Sequence, residues 1–141
     1  MNDVAPGAYQ AVLGMEIYAR QNNDPQLYEL VKLRASMVNG CGFCVDMHAT
    51  EAQKAGESSR RLFAVSAWRE AGSLFTEQER AAFALTDAVT KLGEHGVPDN
   101  VWDEAARHFD KTELGNLLMA IVTINVWNRL AIATKQDLPD A

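Results

Sequence analysis

Both cysteines of the chain lie in one short segment, residues 41–48, which reads CGFCVDMH. A Cys-x2-Cys pair can close a small disulfide ring and open it again. His48 follows Cys44 by four residues, so on a helix the two side chains share a face. The segment therefore brings a nucleophile, a resolving thiol and a base together, and this predicts redox chemistry.

The position of the pair favours the reactive form of a cysteine. If a helix ends at Asn39-Gly40, the first turn of the next helix holds Cys41 and Cys44, beside unpaired N–H groups and the positive end of the helix dipole. Such cysteines have pKa values lowered to roughly 3.5–7.5. His48 is suited to moving a proton near neutral pH. Attack of one sulfur on a peroxide gives a sulfenic acid, which the other sulfur converts to a disulfide.

A metal site is the first alternative. Cys41, Cys44 and His48 would supply three ligands, and His95 or His108 a fourth. Structural zinc sites usually draw paired ligands from two separate segments, and the chain has no further cysteine. We therefore expect no bound metal, although the metal-binding or non-catalytic module stays open as an interpretation.

Two other interpretations are weaker. The cysteines could be small buried apolar residues, but two cysteines meeting by chance in one Cys-x2-Cys is improbable. A thioredoxin domain would place the motif in a βαβ unit, and the sequence shows no convincing strand pattern.

Composition predicts one domain, residues 1–141, of an ordinary globular protein with 48% hydrophobic and 23% charged residues. The net charge of −6 without a basic stripe argues against nucleic acid or an anionic membrane as partner. No secretory signal is visible, so a cytoplasmic location is the default expectation. There a redox role suits the cysteines better than a structural disulfide. The chain carries no phosphate loop or dinucleotide fingerprint, and we expect no bound cofactor.

Helical periodicity runs through almost the whole sequence and predicts an all-α fold, a bundle of about seven helices. Start signals are Asp24-Pro25 and the capping boxes Thr76–Glu79 and Asp110–Glu113. The predicted helices span about residues 6–21, 25–39, 41–56, 59–72, 77–92, 99–109 and 111–133. The last is the most apolar, but its polar interruptions fit a buried helix better than a membrane span.

Some residues of the predicted helices have expected structural roles. Asn125, Asn128 and Arg129 of the last helix are predicted to make structural hydrogen bonds. Trp127 is expected in the core or at a subunit contact rather than in the site.

A resemblance to a known family adds to this picture. Glu29, followed twelve residues later by Cys41 and then by Cys44 and His48, matches the Glu…Cys-x2-Cys-x3-His signature of the alkylhydroperoxidase D-like proteins. These belong to the carboxymuconolactone decarboxylase superfamily. The segments 28–36, 39–41, 48–57, 68–70, 76–82 and 124–129 also look similar, so that the resemblance covers about residues 27–132.

The resemblance implies an all-α protein that assembles into trimers or hexamers and acts as a thiol peroxidase or as a disulfide or lipoyl-linked oxidoreductase. It implies that Cys44 is the peroxidatic nucleophile and that Cys41 resolves the sulfenic acid. His48 and Glu29 would form a proton relay, and the reductant would be a thiol- or lipoyl-bearing protein. Judged alone, Glu29 would be expected to be a solvated helix charge.

The chain departs from the family pattern at one position of the motif. Phe43 stands where the better-studied alkylhydroperoxidase D proteins carry a second histidine. This removes one candidate relay member and makes the expected pocket more apolar. The lactone decarboxylases of the superfamily resemble this chain but lack the cysteine pair, so its presence argues against decarboxylation.

Overall fold

Seven α-helices make up the fold in the computed structural model, which describes residues 2–140. They are α1 (Pro6–Gln21), α2 (Pro25–Asn39), α3 (Gly42–Lys54), α4 (Ser59–Ala64), α5 (Glu77–Thr90), α6 (Asp99–His108) and α7 (Lys111–Ala133). Within the described residues the only β pairing is an isolated bridge between Gly93 and Gly96. The predicted all-α class and the number of helices are confirmed.

The helix starts follow the capping signals of the sequence. The Asp24 carboxylate accepts from the backbone N–H of Leu27 at 3.0 Å, directly before Pro25 begins α2. Reciprocal capping boxes open α5 at Thr76 and α7 at Asp110. Each box satisfies N–H groups that a helix start leaves without partners.

The helix predicted for residues 59–72 is wrong in its second half. Instead, α4 ends at Ala64, and 3₁₀ turns at Val65–Glu70 and Gly72–Leu74 follow. The reason is competition for carbonyl groups. The Arg34 guanidinium donates to the carbonyl oxygens of Val65 and Ser66 at 3.4 and 3.0 Å. The Arg34 guanidinium thus binds carbonyl oxygens that would accept backbone hydrogen bonds if the α-helix continued.

Helix α2 lies at the centre of the bundle, against α3, α5 and α7. Leu30 and Leu33 join one apolar cluster with residues from α3, α4 and α5, and Val31 joins a second with residues from α5, α6 and α7. Apolar side chains therefore leave α2 on two sides. As a result, its charged residues Glu29 and Lys32 are also carried into the interior.

The polar residues of α7 anchor it to the end of α2. The Asn39 amide donates to the side-chain oxygens of Asn125 and Asn128, both at 2.9 Å, and Arg129 donates to Asn125 at 2.7 Å. Asn128 is fully buried and donates to Ser36 at 3.0 Å. The structural role predicted for the polar residues of α7 is confirmed.

By length and composition α7 could cross a membrane, since an 18-residue window has a mean hydropathy of 1.3. Core helices of globular proteins pass the same test. In α7, 33% of that window is buried, and the hydrogen bonds to α2 place its polar groups against protein partners.

We expect opposite stability effects from alanine at two glycines. Gly40 ends α2 in the left-handed region with φ 71°, whereas Gly115 lies inside α7, and neither has an atom near an added Cβ. Gly40→Ala should lower the free energy of unfolding by ~1 kcal/mol, because an L side chain strains this conformation. Gly115→Ala should raise it by ~0.5–1 kcal/mol. Urea denaturation measures both, and equal effects would contradict the assignment of Gly40 as a backbone requirement.

Candidate active site

The cysteine pair occupies the sharp corner between α2 and α3. Gly40 turns the chain, Cys41 is the N-cap of α3, and its sulfur accepts from the backbone N–H of Cys44 at 3.3 Å. The two residues form a disulfide with their Cα atoms 5.3 Å apart, and each is 2% exposed. The predicted placement of the motif in the first turn of a helix is confirmed.

His48 and Glu29 meet across the α2–α3 contact. His48 Nδ1 lies 3.3 Å from Glu29 Oε2, and both residues are buried. The expectation that Glu29, taken alone, is solvated is wrong, because Arg20 and Glu16 of α1 lie over this part of α2. The structure thus brings together all four residues that the motif singled out.

A cluster of buried charges continues from Glu29 towards α1. Lys32 Nζ lies 3.2 Å from Glu29 Oε1 and 3.3 Å from Glu16 Oε1. Arg20 contacts the same two carboxylates, at 3.0 Å from Glu16 and 3.5 Å from Glu29. Sequence reasoning missed Glu16, Arg20 and Lys32. The four-residue spacing of Glu16 and Arg20 and the three-residue spacing of Glu29 and Lys32 each indicate an ion pair within one helix. These spacings do not indicate that the two pairs contact each other.

The cluster fixes the charge of the His48–Glu29 pair. Burial raises the pKa of Glu29, but the hydrogen bond to His48 and the charge of Lys32 outweigh it and hold this pKa below its usual value. Burial lowers the pKa of His48, and the charge of Lys32 acts in the same direction against the hydrogen bond to Glu29. Glu29 is therefore ionised and His48 neutral near pH 7.

These charges also assign the histidine tautomer. An ionised carboxylate only accepts hydrogen bonds, so the proton of neutral His48 lies on Nδ1 and points to Glu29. Nε2 is then unprotonated, and it has no hydrogen-bond partner among residues 2–140. An unprotonated imidazole nitrogen accepts a proton rather than donating one. In the reduced protein, Nε2 is the group that can accept one.

A cleft of about 670 Å³ leads to Cys44 and His48. Aromatic and aliphatic residues line part of the remaining wall, namely Tyr9, Phe43, Met47, Trp127, Leu130 and Ala131, and polar or charged residues, among them Glu16, Arg20 and Glu51, line the rest. Trp127 stacks edge-to-face on Tyr9 and donates from Nε1 to Glu16 Oε2 at 3.3 Å. Trp127 therefore lines the cleft and is not confined to the core, which the sequence did not signal, whereas its expected place at a subunit contact stays a prediction.

The geometry does not favour the metal interpretation. The two sulfurs are bonded to each other, and His48 Nδ1 is held by Glu29. His108 instead places Nε2 3.0 Å from Glu104. No group of three or more His, Cys, Asp or Glu side chains arranged to hold a metal ion exists between residues 2 and 140.

Fold and site together define an all-α protein with a Cys-x2-Cys disulfide beside a buried His–Glu pair. The chain belongs to the carboxymuconolactone decarboxylase family, whose profile matches residues 5–88, more than half of the chain. It is an AhpD-like member of that family, as its similarity to AhpD-named proteins shows.

Relatives of known sequence are similar over different lengths. The uncharacterised protein YdfG of Bacillus subtilis is 35% identical over 132 residues, which are 93% of this chain and 89% of that protein. The alkyl hydroperoxide reductase AhpD of Solibacter usitatus is 40% identical over 58 residues, 41% of this chain but only 33% of AhpD. The similarity to AhpD is thus confined to about a third of that enzyme.

Two solved structures share the fold. A crystal structure of a protein of unknown function from Agrobacterium tumefaciens, for which an AhpD antioxidant-defence role has been suggested, is 39% identical with a TM-score of 0.94. The match covers 99% of this chain and 96% of that one. The debrominase Bmp8 has a TM-score of 0.84 at 19% identity, covering 95% of this chain and 72% of Bmp8, and shows the fold alone.

Glu29→Gln should flatten the acid-side pH dependence of stability. The folded pKa of Glu29 is lowered, so its stabilising contribution is complete above the unfolded value of about 4.3 and is lost as pH falls through the folded pKa. The variant loses this slope and is also less stable at pH 7 by ~2 kcal/mol, because Lys32 loses a partner. The free energy of unfolding in urea from pH 3 to 7 tests this.

Glu94→Gln is the matched control for this measurement, because Glu94 is exposed. It should keep the wild-type slope. Identical slopes for Glu29→Gln and the wild type would show that folding does not lower the pKa of Glu29.

Proposed function

We propose that this protein is a thiol-dependent peroxidase that reduces hydroperoxides through Cys44 and Cys41, with His48 and Glu29 as the proton relay. The observation that supports this most strongly is that a disulfide cysteine, Cys44, and a buried histidine whose Nε2 has no hydrogen-bond partner among residues 2–140 line one cleft. A histidine base that is oriented by a carboxylate and lines the same cleft as a cysteine nucleophile is an arrangement suited to activating a thiol.

The reaction balances with these groups alone and one external reductant. His48 Nε2 accepts the Cys44 proton, and the sulfur attacks the distal oxygen of the hydroperoxide, so that the O–O bond breaks. The leaving alkoxide takes the proton and departs as an alcohol, while Cys44 becomes a sulfenic acid. The Cys41 thiol then attacks the Cys44 sulfur and releases water, which leaves the disulfide. Two electrons from an external dithiol restore both thiols.

The two cysteines have different surroundings, which supports their different roles. Cys44 lines the cleft and Cys41 does not. Cys41 is the helix cap, with its sulfur held against the N–H of Cys44. The residue that a substrate can reach is therefore the nucleophile of the proposal, and the inner residue resolves the sulfenic acid.

A second candidate is a disulfide or lipoyl-linked thiol oxidoreductase with little peroxidase activity. The size of the cleft favours it, since about 670 Å³ exceeds what a small peroxide needs. In both cases the expected reductant is a thiol- or lipoyl-bearing protein. The cytoplasmic location and the absence of nucleic-acid and membrane partners stay predictions from sequence.

We also propose that the chain forms a homo-oligomer, a trimer or a hexamer. Only 33% of the most apolar window of α7 is buried, and Ala19 is the only buried residue of α1. Uncovered apolar helix surface of this kind is typical of an interface between subunits. A second copy of the chain is the partner that would cover it.

Replacing one cysteine at a time tests the proposed chemistry. Reduced wild type treated with one equivalent of an organic hydroperoxide should lose two thiols to a Cys41–Cys44 disulfide, because each peroxide removes two electrons. Cys41→Ser should stop at a sulfenic acid on Cys44, which dimedone traps. Cys44→Ser should consume no peroxide above the buffer rate. Thiol counting and peptide mass spectrometry measure all three.

Each other outcome points to a different reading. Equal peroxide consumption by Cys44→Ser and wild type would sink the peroxidase proposal. Two thiols that survive peroxide but exchange with a lipoamide disulfide would select the oxidoreductase. Activity on a lactone substrate with both cysteines replaced would select a decarboxylase.

The oligomer prediction is checked by mass. Sedimentation equilibrium should give about three or six times the 15.5 kDa of one chain. The wild type alone is sufficient for this measurement. A single species at 15.5 kDa across micromolar concentrations would contradict it.

A further inference from the structure

Lys32 is a charged residue with no contact to solvent. Its exposed fraction is 0%, and its Nζ lies between Glu29 Oε1 at 3.2 Å and Glu16 Oε1 at 3.3 Å. The ammonium group also lies 3.9 Å from the centre of the Tyr28 ring. Such a position is expensive, since an apolar side chain of similar volume often stabilises a buried site as well or better. Stability alone therefore does not explain a lysine here.

The two oxygens of Glu29 divide the surrounding groups between them. Oε1 is held by the cations, Lys32 at 3.2 Å and Arg20 at 3.5 Å, and Oε2 faces His48 Nδ1 at 3.3 Å. The carboxylate cannot turn without breaking contacts on both sides. Its orientation is thus set from the side opposite the histidine.

We infer that Lys32 is a positioning residue for the proton relay: it anchors one oxygen of Glu29 and keeps the carboxylate ionised, so that His48 holds its proton on Nδ1 and leaves Nε2 free for the Cys44 proton. This inference rests on the proposed function for its role in catalysis. The proton positions themselves rest on the contacts of Glu29 and on the charges of the cluster, and not on the proposed function.

The charge count of the cluster supports this assignment. From α1 come Glu16 and Arg20, and from α2 come Glu29, Lys32 and the neutral Tyr28. Two carboxylates thus face two cations, and the cluster is neutral while His48 is neutral. The neighbouring helices leave this balance intact. On α3, Glu51 lines the same cleft, and its carboxylate is paired with Lys54 at 3.1 Å. Against α2, α5 directs Asp87, whose carboxylate is taken by Arg34 at 2.7 Å. From α7 only the uncharged indole of Trp127 reaches Glu16.

Removing the Lys32 charge would leave one negative charge uncompensated. The cluster would then take up a proton at a higher pH than in the wild type, either on Glu29 or on His48. In both cases the His48–Glu29 pair already carries an additional proton, so His48 Nε2 is not free to accept the proton of Cys44. The expected consequence is a change in pH dependence rather than a simple loss of activity.

The experiment compares Lys32→Met with Lys54→Met in the reduced full-length protein. Lys54 is the matched control, because it also pairs with a glutamate three residues earlier, Glu51 at 3.1 Å, but is 67% exposed. One readout is the rate of Cys44 alkylation by iodoacetamide against pH. The other is the nitrogen chemical shifts of His48, which report where its proton lies.

For Lys32→Met we expect the acid limb of the alkylation profile to move up by about one pH unit or more. We also expect His48 to lose its Nδ1-protonated neutral form at pH 7. Lys54→Met should match the wild type in both readouts. A Lys32→Met protein that folds and keeps the wild-type profile and tautomer would overturn the inference.

A second variant covers the case in which Lys32→Met does not fold. Glu16→Gln with Lys32→Met removes one charge of each sign and restores the neutral count, yet Glu29 still lacks its ammonium partner. In this double variant the acid limb of the alkylation profile should still lie at higher pH than in the wild type, although the shift should be smaller than in Lys32→Met. A wild-type profile in the double variant would equally overturn the inference. Neither readout needs peroxide turnover, so failure of the proposed function alone would leave the tautomer result unchanged.

Discussion

The site depends on a carboxylate that is buried and kept charged. A lone ionised glutamate inside a protein is strongly unfavourable, and the usual response is protonation. Glu29 avoids this because Lys32 and Arg20 lie on one of its oxygens and His48 on the other. Without these cations, the histidine would face a neutral acid, and its tautomer would not be fixed. In our proposal, the groups that control proton transfer from Cys44 therefore include Lys32 and Arg20, which act through Glu29 and His48.

The bundle supplies what this carboxylate needs. Helix α2 is surrounded by α3, α5 and α7, and α1 places Glu16 and Arg20 over the remaining face. The corner at Gly40 then turns the chain so that the first turn of α3 starts beside α2. A left-handed residue at this point lets Cys41 cap α3 and puts His48 one turn beyond Cys44. One turn of backbone therefore brings Cys44, which is bonded to Cys41, and the base His48 to the same cleft.

The cleft differs in character from the charge cluster beneath it. Phe43, Met47 and Trp127 make part of its wall apolar, whereas Glu16 and Arg20 reach its edge from the cluster. Phe43 lies between the two cysteines in sequence and lines the cleft, and His48 is the histidine that lines it with Cys44.

Sequence alone determined the features that arise from local chemistry. The capping residues Asp24, Thr76 and Asp110 and the left-handed Gly40 act on their own neighbours, so the helix bounds follow from short patterns. The Cys-x2-Cys-x3-His spacing likewise predicted three of the four residues that meet, and the resemblance to a family supplied Glu29.

Only the tertiary structure decided the rest, because it depends on contacts between distant segments. The 3₁₀ turns after Ala64 form because Arg34 of α2, about thirty residues earlier in the chain, donates hydrogen bonds to the carbonyl oxygens of Val65 and Ser66. Three further features require α1, α2 and α7 to pack against one another. They are the burial of Glu29, the ion pairs that link Glu29, Lys32 and Glu16, and the position of Trp127 in the cleft wall. An ion pair at helical spacing has the same sequence whether it lies in water or in the core. Packing alone distinguishes a surface charge from one that sets the protonation of a histidine.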